Sequence, residues 1–303
     1  MGRPGSLLGA RKPSLRVIQA LNLSVLEMAP SAFYKIGSRM RISRLTWLLC
    51  MVALFFQPAF SAASDDLTPP TVYLQAKLQQ NDIVFLGTKH KTPEILGFIA
   101  ELIPSLKGLG VTNLGLEIPS DQQEKIDAFM RTGDGLSDIR LHAPIDCPEY
   151  RHLFQVLRKS GGPSPVALDL PYSMYKDDVS RDEWIVGKLL TEFQGNPAAR
   201  VLVIAGNLHT FKKLEWQEHV PNKHLSIREY ILREKPAIKM WSVGQLIQQN
   251  PGECDFTRKF SSLPGAVALD LDDRYKGWKF GLTAPIAILP AECFELVDGV
   301  IVY

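Results

Sequence analysis

The sequence is short of cysteine, of net charge and of any long apolar run. Four cysteines occur in 303 residues. None sits in a CxxC, CxxCH or zinc-finger spacing, which excludes a dithiol redox motif, a c-type haem attachment and a structural zinc module. The formal charge is +2, so there is no electrostatic case for nucleic acid. The longest apolar run, LTWLLCMVALFF at Leu45–Phe56, is too short for a comfortable bilayer span, which takes about 20 residues. Low-complexity stretches and a domain-sized linker are also missing.

That apolar run reads as part of an export leader. Arg41 and Arg44 precede it, and the small residues of AFSAAS (Ala59–Ser64) follow, giving cleavage after Ser61 or Ala63. Cys50 lies mid-run behind Leu49, where a lipoprotein box needs a small residue. The expected organisation is an extension over 1–39, non-native or disordered, a signal peptide over 40–63, and one α/β domain over 64–303. The rival reading is an uncleaved anchor. Either way the domain is expected outside the inner membrane, periplasmic or extracellular, with membrane contact only through the leader. Removing 1–63 leaves 26 basic and 31 acidic residues, a charge of −5. Cys147, Cys254 and Cys293 remain, an odd number that leaves one unpaired.

Within the domain, strand-like and helix-like segments alternate. DIVFLG (82–87), NLGLEIP (113–119), PVALDLP (165–171) and RVLVIAG (200–206) are short apolar runs of the kind covered on both faces in parallel sheets. Thr92-Pro93-Glu94 and SRDE at 180–183 read as helix starts. Residues 120–133 and about 149–159 read as further helices, with an irregular lid-like insertion over 134–152. The alternation predicts a mainly parallel sheet with helices on both faces.

Two strand ends look alike. VFLGTKH and VIAGNLH each run into Gly-x-x-His, ending at His90 and His209. In open α/β sheets, ligands bind at the carboxyl ends of the strands. That edge is expected to collect His90, Glu117, Asp169, His209 and, from VALDL, Asp270. Glycine after a strand permits a positive-φ turn or a close approach. Imidazole with carboxylate suits a divalent metal such as zinc or manganese, which activates water; the same groups also serve as ordinary surface and capping residues. Glu117, inside an apolar strand, needs a cation or a proton. Arg181 opens a helix and is available to hold a carboxylate or an oxyanion.

In order and spacing, VFLGTKH, LGLEIP, the RD pair at 181–182, VIAGNLHTFKK and the closing ELVDGVIVY resemble the Tiki superfamily. That group includes Tiki proteases, TraB/PrgY proteins, erythromycin esterases (EreA-like) and ChaN-type haem-binding uptake proteins. The resemblance covers roughly Asp82 to Tyr303 and is closest to the bacterial ChaN-like and esterase-like branch. It implies an EreA/ChaN-like α/β fold and a metal-dependent hydrolase acting on a small-molecule ester or a peptide. His90, Glu117 and His209 would bind metal, Glu117 and Arg181 would act in catalysis, and Asp169 would orient a histidine. The alternative is a haem- or iron-binding protein without catalysis, with Tyr150, Tyr172 and Tyr175 as candidate ligands. Lys89 beside the first histidine departs from the acidic residue common in that branch and adds positive charge there.

Overall fold

The computed structural model describes residues 66–175, 179–218, 224–247, 254–281 and 291–303. The expected leader lies outside them. The described domain is a seven-stranded sheet in the order β3-β2-β4-β1-β5-β7-β6. Its strands are β1 (Ile83–Thr88), β2 (Asn113–Pro119), β3 (Ser164–Asp169), β4 (Val201–Gly206), β5 (Met240–Leu246), β6 (Val267–Asp270) and β7 (Gly299–Val302). All neighbours are parallel except β6 and β7.

Eight α-helices accompany the sheet among the described residues: α1 (Pro70–Gln80), α2 (Pro93–Leu106), α3 (Gln123–Thr132), α4 (Pro148–Ser160), α5 (Arg181–Gly195), α6 (Ile227–Glu234), α7 (Asp255–Phe260) and α8 (Cys293–Leu296). Proline opens α2 and α4, where its missing N–H costs nothing. Ser180 caps α5 by accepting from the Glu183 amide, and Ser226 with Glu229 closes a full capping box on α6. Pro104 lies in the last turn of α2, so the helix runs on to Leu106.

Alternate side chains of each strand serve opposite layers. Val84, Leu86, Leu116 and Ile204 join the core under α1 to α4. Ile83, Phe85, Val201 and Val203 join the core under α5 and α6. Both faces of β1 and β4 are therefore apolar, which is why these strands read as unbroken hydrophobic runs.

The topology places a crevice. From β1 the chain leaves through α2 toward β2 on one side; from β4, its neighbour, it leaves through α6 toward β5 on the other. The two helices pack on opposite faces of the sheet, and adjacent strands whose connections leave over opposite faces open a gap at their carboxyl ends. His90 and His209 follow these two strands.

One sequence expectation fails here. Because β6 is antiparallel, Asp270 pairs with Gly299, the first residue of β7, and lies at the edge opposite the crevice. It accepts from Tyr73 at 2.7 Å and Lys77 at 2.8 Å. The closing DGVIV segment is structural as well: Asp298 accepts from the Ser242 amide at 2.8 Å and pairs with Arg228.

Candidate active site

The repeated Gly-x-x-His has a packing reason. A Cβ on Gly87 would stand 2.2 Å from Asn207 Oδ1 and 2.9 Å from Thr210 Oγ1. A Cβ on Gly206 would stand 3.0 Å from His90 Nε2 and 3.6 Å from Glu117 Oε2. Each glycine clears space for the turn that follows the other strand. Neither has positive φ (Gly206 is at −55°), so close approach is the requirement and the left-handed turn is not. The one non-glycine at positive φ among the described residues is Lys91 (55°), immediately after His90. A buried network locks the two turns together. Asn207 exchanges two hydrogen bonds with the Gln245 backbone at 3.2 and 3.3 Å, and Gln245 Nε2 donates to the Gly87 carbonyl at 2.7 Å.

Glu117 forms the floor of the crevice and is 7% exposed. Its Oε2 accepts from the Gly206 amide at 2.7 Å, and its Oε1 accepts from Arg181 Nη2 at 2.9 Å. The same Oε1 is 3.7 Å from His209 Nε2. Burial alone would raise the carboxyl, but His209, the Gly206 amide and Arg181 outweigh it and hold Glu117 below the usual range.

The other face of His209 is held by Asp182, whose Oδ1 lies 2.6 Å from Nδ1. Asp182 is 2% exposed. Burial pulls the His209 pKa down, but Asp182 and Glu117 reverse that and raise it. His90 goes the other way. Desolvation is the largest effect and its pKa is lowered, and its Nδ1 is buried without a hydrogen-bond partner. Two imidazoles beside one carboxylate are thus driven apart in basicity.

Arg181 is clamped by Asp169, which is fully buried and accepts from its Nε at 2.9 Å and from its Nη2. Asp169 also accepts from the Leu170 amide at 2.7 Å and lies 3.0 Å from His142 Nε2. Burial opposes its ionisation, but His142 and Arg181 dominate and hold it far below the usual carboxylate range.

His90, Glu117, Arg181 and His209 come together as expected from the sequence, and Asp169 lies directly behind Arg181. Three expectations change in the structure. The first is the metal set of His90, Glu117 and His209. Among the described residues no group of three His, Cys, Asp or Glu is arranged to hold a metal ion. Both Glu117 oxygens already accept hydrogen bonds, and a guanidinium sits where a second cation would be repelled. The donor set does not fit. The second is the orienting acid. Asp169 does lie against a histidine, His142, and also holds Arg181, while His209 is oriented by Asp182. The third concerns the haem-ligand set. Tyr150 is in the first turn of α4, 4% exposed, with a buried and unpartnered hydroxyl, so it offers no axial ligand to an incoming haem. Tyr172 and Tyr175 do lie at the mouth, packed around His142 with centroids 5.2 Å away.

Asp182 and His142 were missed as site residues. An acid in the first turn of a helix looks like a dipole-compensating residue, and the RD pair was the only signal pointing further. His142 sits in an irregular segment without periodicity.

No family model and no curated protein matches the chain. Among solved structures, a mutant of the erythromycin esterase EreC in its open conformation is similar. Its TM-score is 0.58 at 10% identity, over 76% of this chain and 92% of that one. The chain has the erythromycin-esterase fold. A Bacillus cereus protein shares it, with TM-score 0.53 and 11% identity over 78% of this chain and 92% of that one. ChaN of Campylobacter jejuni, solved with cofacially bound haem, also matches, with TM-score 0.43 and 13% identity over 77% and 91%. The likeness expected from the short motifs thus holds at the level of the erythromycin-esterase fold.

Proposed function

We propose that the domain is a hydrolase of a neutral acyl bond, ester or peptide, working by side-chain acid–base chemistry. The carrying observation is the convergence of His90, Glu117, Arg181 and His209, the last backed by Asp182 at 2.6 Å. Titratable groups whose surroundings push their pKa values apart are natural acid and base partners. Neutral His90 takes a proton from water as the water oxygen bonds to the substrate carbonyl carbon. Arg181, fixed by Asp169 and Glu117, stabilises the oxygen that becomes negative. The bond to the leaving group then breaks, and protonated His209 gives its proton to the departing oxygen or nitrogen. Proton exchange with solvent resets both histidines.

Turnover of simple esters tests this reading. His209→Ala and His90→Ala should each lower kcat about 100-fold or more, and a chelator should leave the wild type unchanged. Equal turnover in wild type and both variants refutes the reading; loss on chelation refutes the metal-independent chemistry.

The second reading, haem binding, is supported by Tyr175, which is 41% exposed at the mouth. It is weakened by the Tyr175 hydroxyl, which donates to Asp169 at 3.1 Å, and by a pKa that burial and Asp169 raise, both opposing phenolate formation. A hemin titration without a Soret shift removes it. We also propose that residues 40–63 are a cleaved export leader, placing the domain in the periplasm or outside the cell. A mature N-terminus at Ala62 or Ser64 agrees with this, and one upstream of Met40 does not.

A further inference from the structure

Among the described residues, seven large apolar side chains are exposed, and three of them lie close in sequence to residues of this site. Tyr175 and Val179 precede Arg181 in the segment leading to α5, and Leu225 follows His224, whose Nε2 lies 4.0 Å from Asp182 Oδ2. Tyr175 is the most informative. Its hydroxyl points inward, 3.1 Å from Asp169 Oδ2 and 2.7 Å from His142 Nε2. The residue is 41% exposed while its hydroxyl is engaged by these two partners. His142 backs the ring at 5.2 Å, Tyr172 at 6.1 Å, and the Arg181 guanidinium lies 5.9 Å from its centroid. An aromatic ring held by its polar end, beside the group that would stabilise an oxyanion, is a rigid platform.

The charges beside it restrict the occupant. Glu117, Asp169 and Asp182 face Arg181 and His209. The two cations at the reacting centre, Arg181 and His209, already face carboxylates. An uncharged group with an apolar flank fits both features.

We infer that Tyr175 is the platform of a subsite for the ring-bearing apolar flank of a neutral acyl substrate, seated beside Arg181. This rests on the hydrolase reading and adds the substrate class. Ring-on-ring contact contributes in offset or edge-on geometry, so the preference should be for aryl over plain alkyl flanks.

The test compares methyl 4-phenylbutyrate with methyl butyrate in the wild type, Tyr175→Phe and Tyr175→Ala. Both variants lose the same hydroxyl bonds, so the ratio of kcat/KM for the two esters isolates the ring. The wild-type ratio should favour the phenyl ester, persist in Tyr175→Phe and fall about 10-fold in Tyr175→Ala. A ratio unchanged in Tyr175→Ala, or lost equally in Tyr175→Phe, overturns the inference. Calorimetric binding of 4-phenylbutyramide and butyramide decides it without turnover. The phenyl amide should bind more tightly to the wild type, and the difference should vanish in Tyr175→Ala. If neither ester is hydrolysed, the hydrolase reading has failed while the amide pair still judges the platform; equal amide binding by the wild type refutes the platform itself.

Discussion

Alanine at the two motif glycines should have different consequences, although the motifs look equivalent. At Gly87 the new methyl would lie 2.2 Å from Asn207 Oδ1 and 3.1 Å from the Asn207 Cα. The second contact is backbone and does not swing away. Relief requires displacing Asn207, which breaks its two bonds to Gln245 at 3.2 and 3.3 Å. Two buried hydrogen bonds at about 1 kcal/mol each, plus about 1–3 kcal/mol of overpacking, give a loss of about 3–5 kcal/mol. That is a large part of a typical folding stability of roughly 5–15 kcal/mol. At Gly206 the methyl meets His90 Nε2 at 3.0 Å and Cε1 at 3.1 Å, the far end of a rotatable side chain. The ring can turn aside, so the stability loss should stay under about 1 kcal/mol. The displaced imidazole should cost roughly 100-fold in ester turnover. Urea unfolding of both variants gives the stabilities, and a turnover assay on folded Gly206→Ala gives the rest. A Gly87→Ala protein within about 1 kcal/mol of wild type, or less stable Gly206→Ala than Gly87→Ala, would refute the interlock.

Three other changes probe the surrounding groups. Asp182→Asn removes the charge that raises His209, so the imidazole should titrate at lower pH by NMR and the alkaline limb of the pH–rate profile should move toward acid; an unmoved titration contradicts the pairing. The same raised pKa means that the stability His209 contributes is fully present below its unfolded value of roughly 6.5 and is lost as pH rises through the folded value, a drop that Asp182→Asn should flatten. Asp169→Asn leaves Arg181 without its main counter-charge. The partial exposure of Arg181, 33%, places the expected cost at about 2–4 kcal/mol, just under the usual range for a broken buried pair; a smaller loss by denaturant melt argues against the clamp. Tyr150→Phe deletes a hydroxyl that has no partner, so the unfolding midpoint should hold or rise; a loss above about 1 kcal/mol would reveal a hidden hydrogen bond.

The parts of this site legible in the sequence were those carried by strands. An apolar run ending in glycine and then histidine announces a buried parallel strand and its outgoing turn, and Glu117 stood out because a carboxylate in such a run must be compensated. What stayed hidden depended on neighbours far along the chain. Asp182 has an ordinary role in the first turn of a helix, and only its 2.6 Å approach to His209 separates it from that role. Asp270 looked like another edge acid because a short apolar run does not show its direction in the sheet, and strand direction is decided by pairing with β7. The metal expectation failed for a related reason. Residue types suggested ligands, while the position of one guanidinium decided that the carboxylate was already occupied.

The duplication of the motif follows from the strand order. β1 and β4 are neighbours in register, with Thr88 opposite Gly206 and Gly87 opposite Ala205. Two turns leaving adjacent strands at the same height compete for one volume. A side chain at Gly87 would push the turns apart, and one at Gly206 would turn the His90 ring aside. With glycine at both, the turns interpenetrate: Asn207 settles over β1 and His90 over β4. The short repeat is therefore a steric condition for bringing two imidazoles to one carboxylate. It would hold whichever acyl bond the site cleaves.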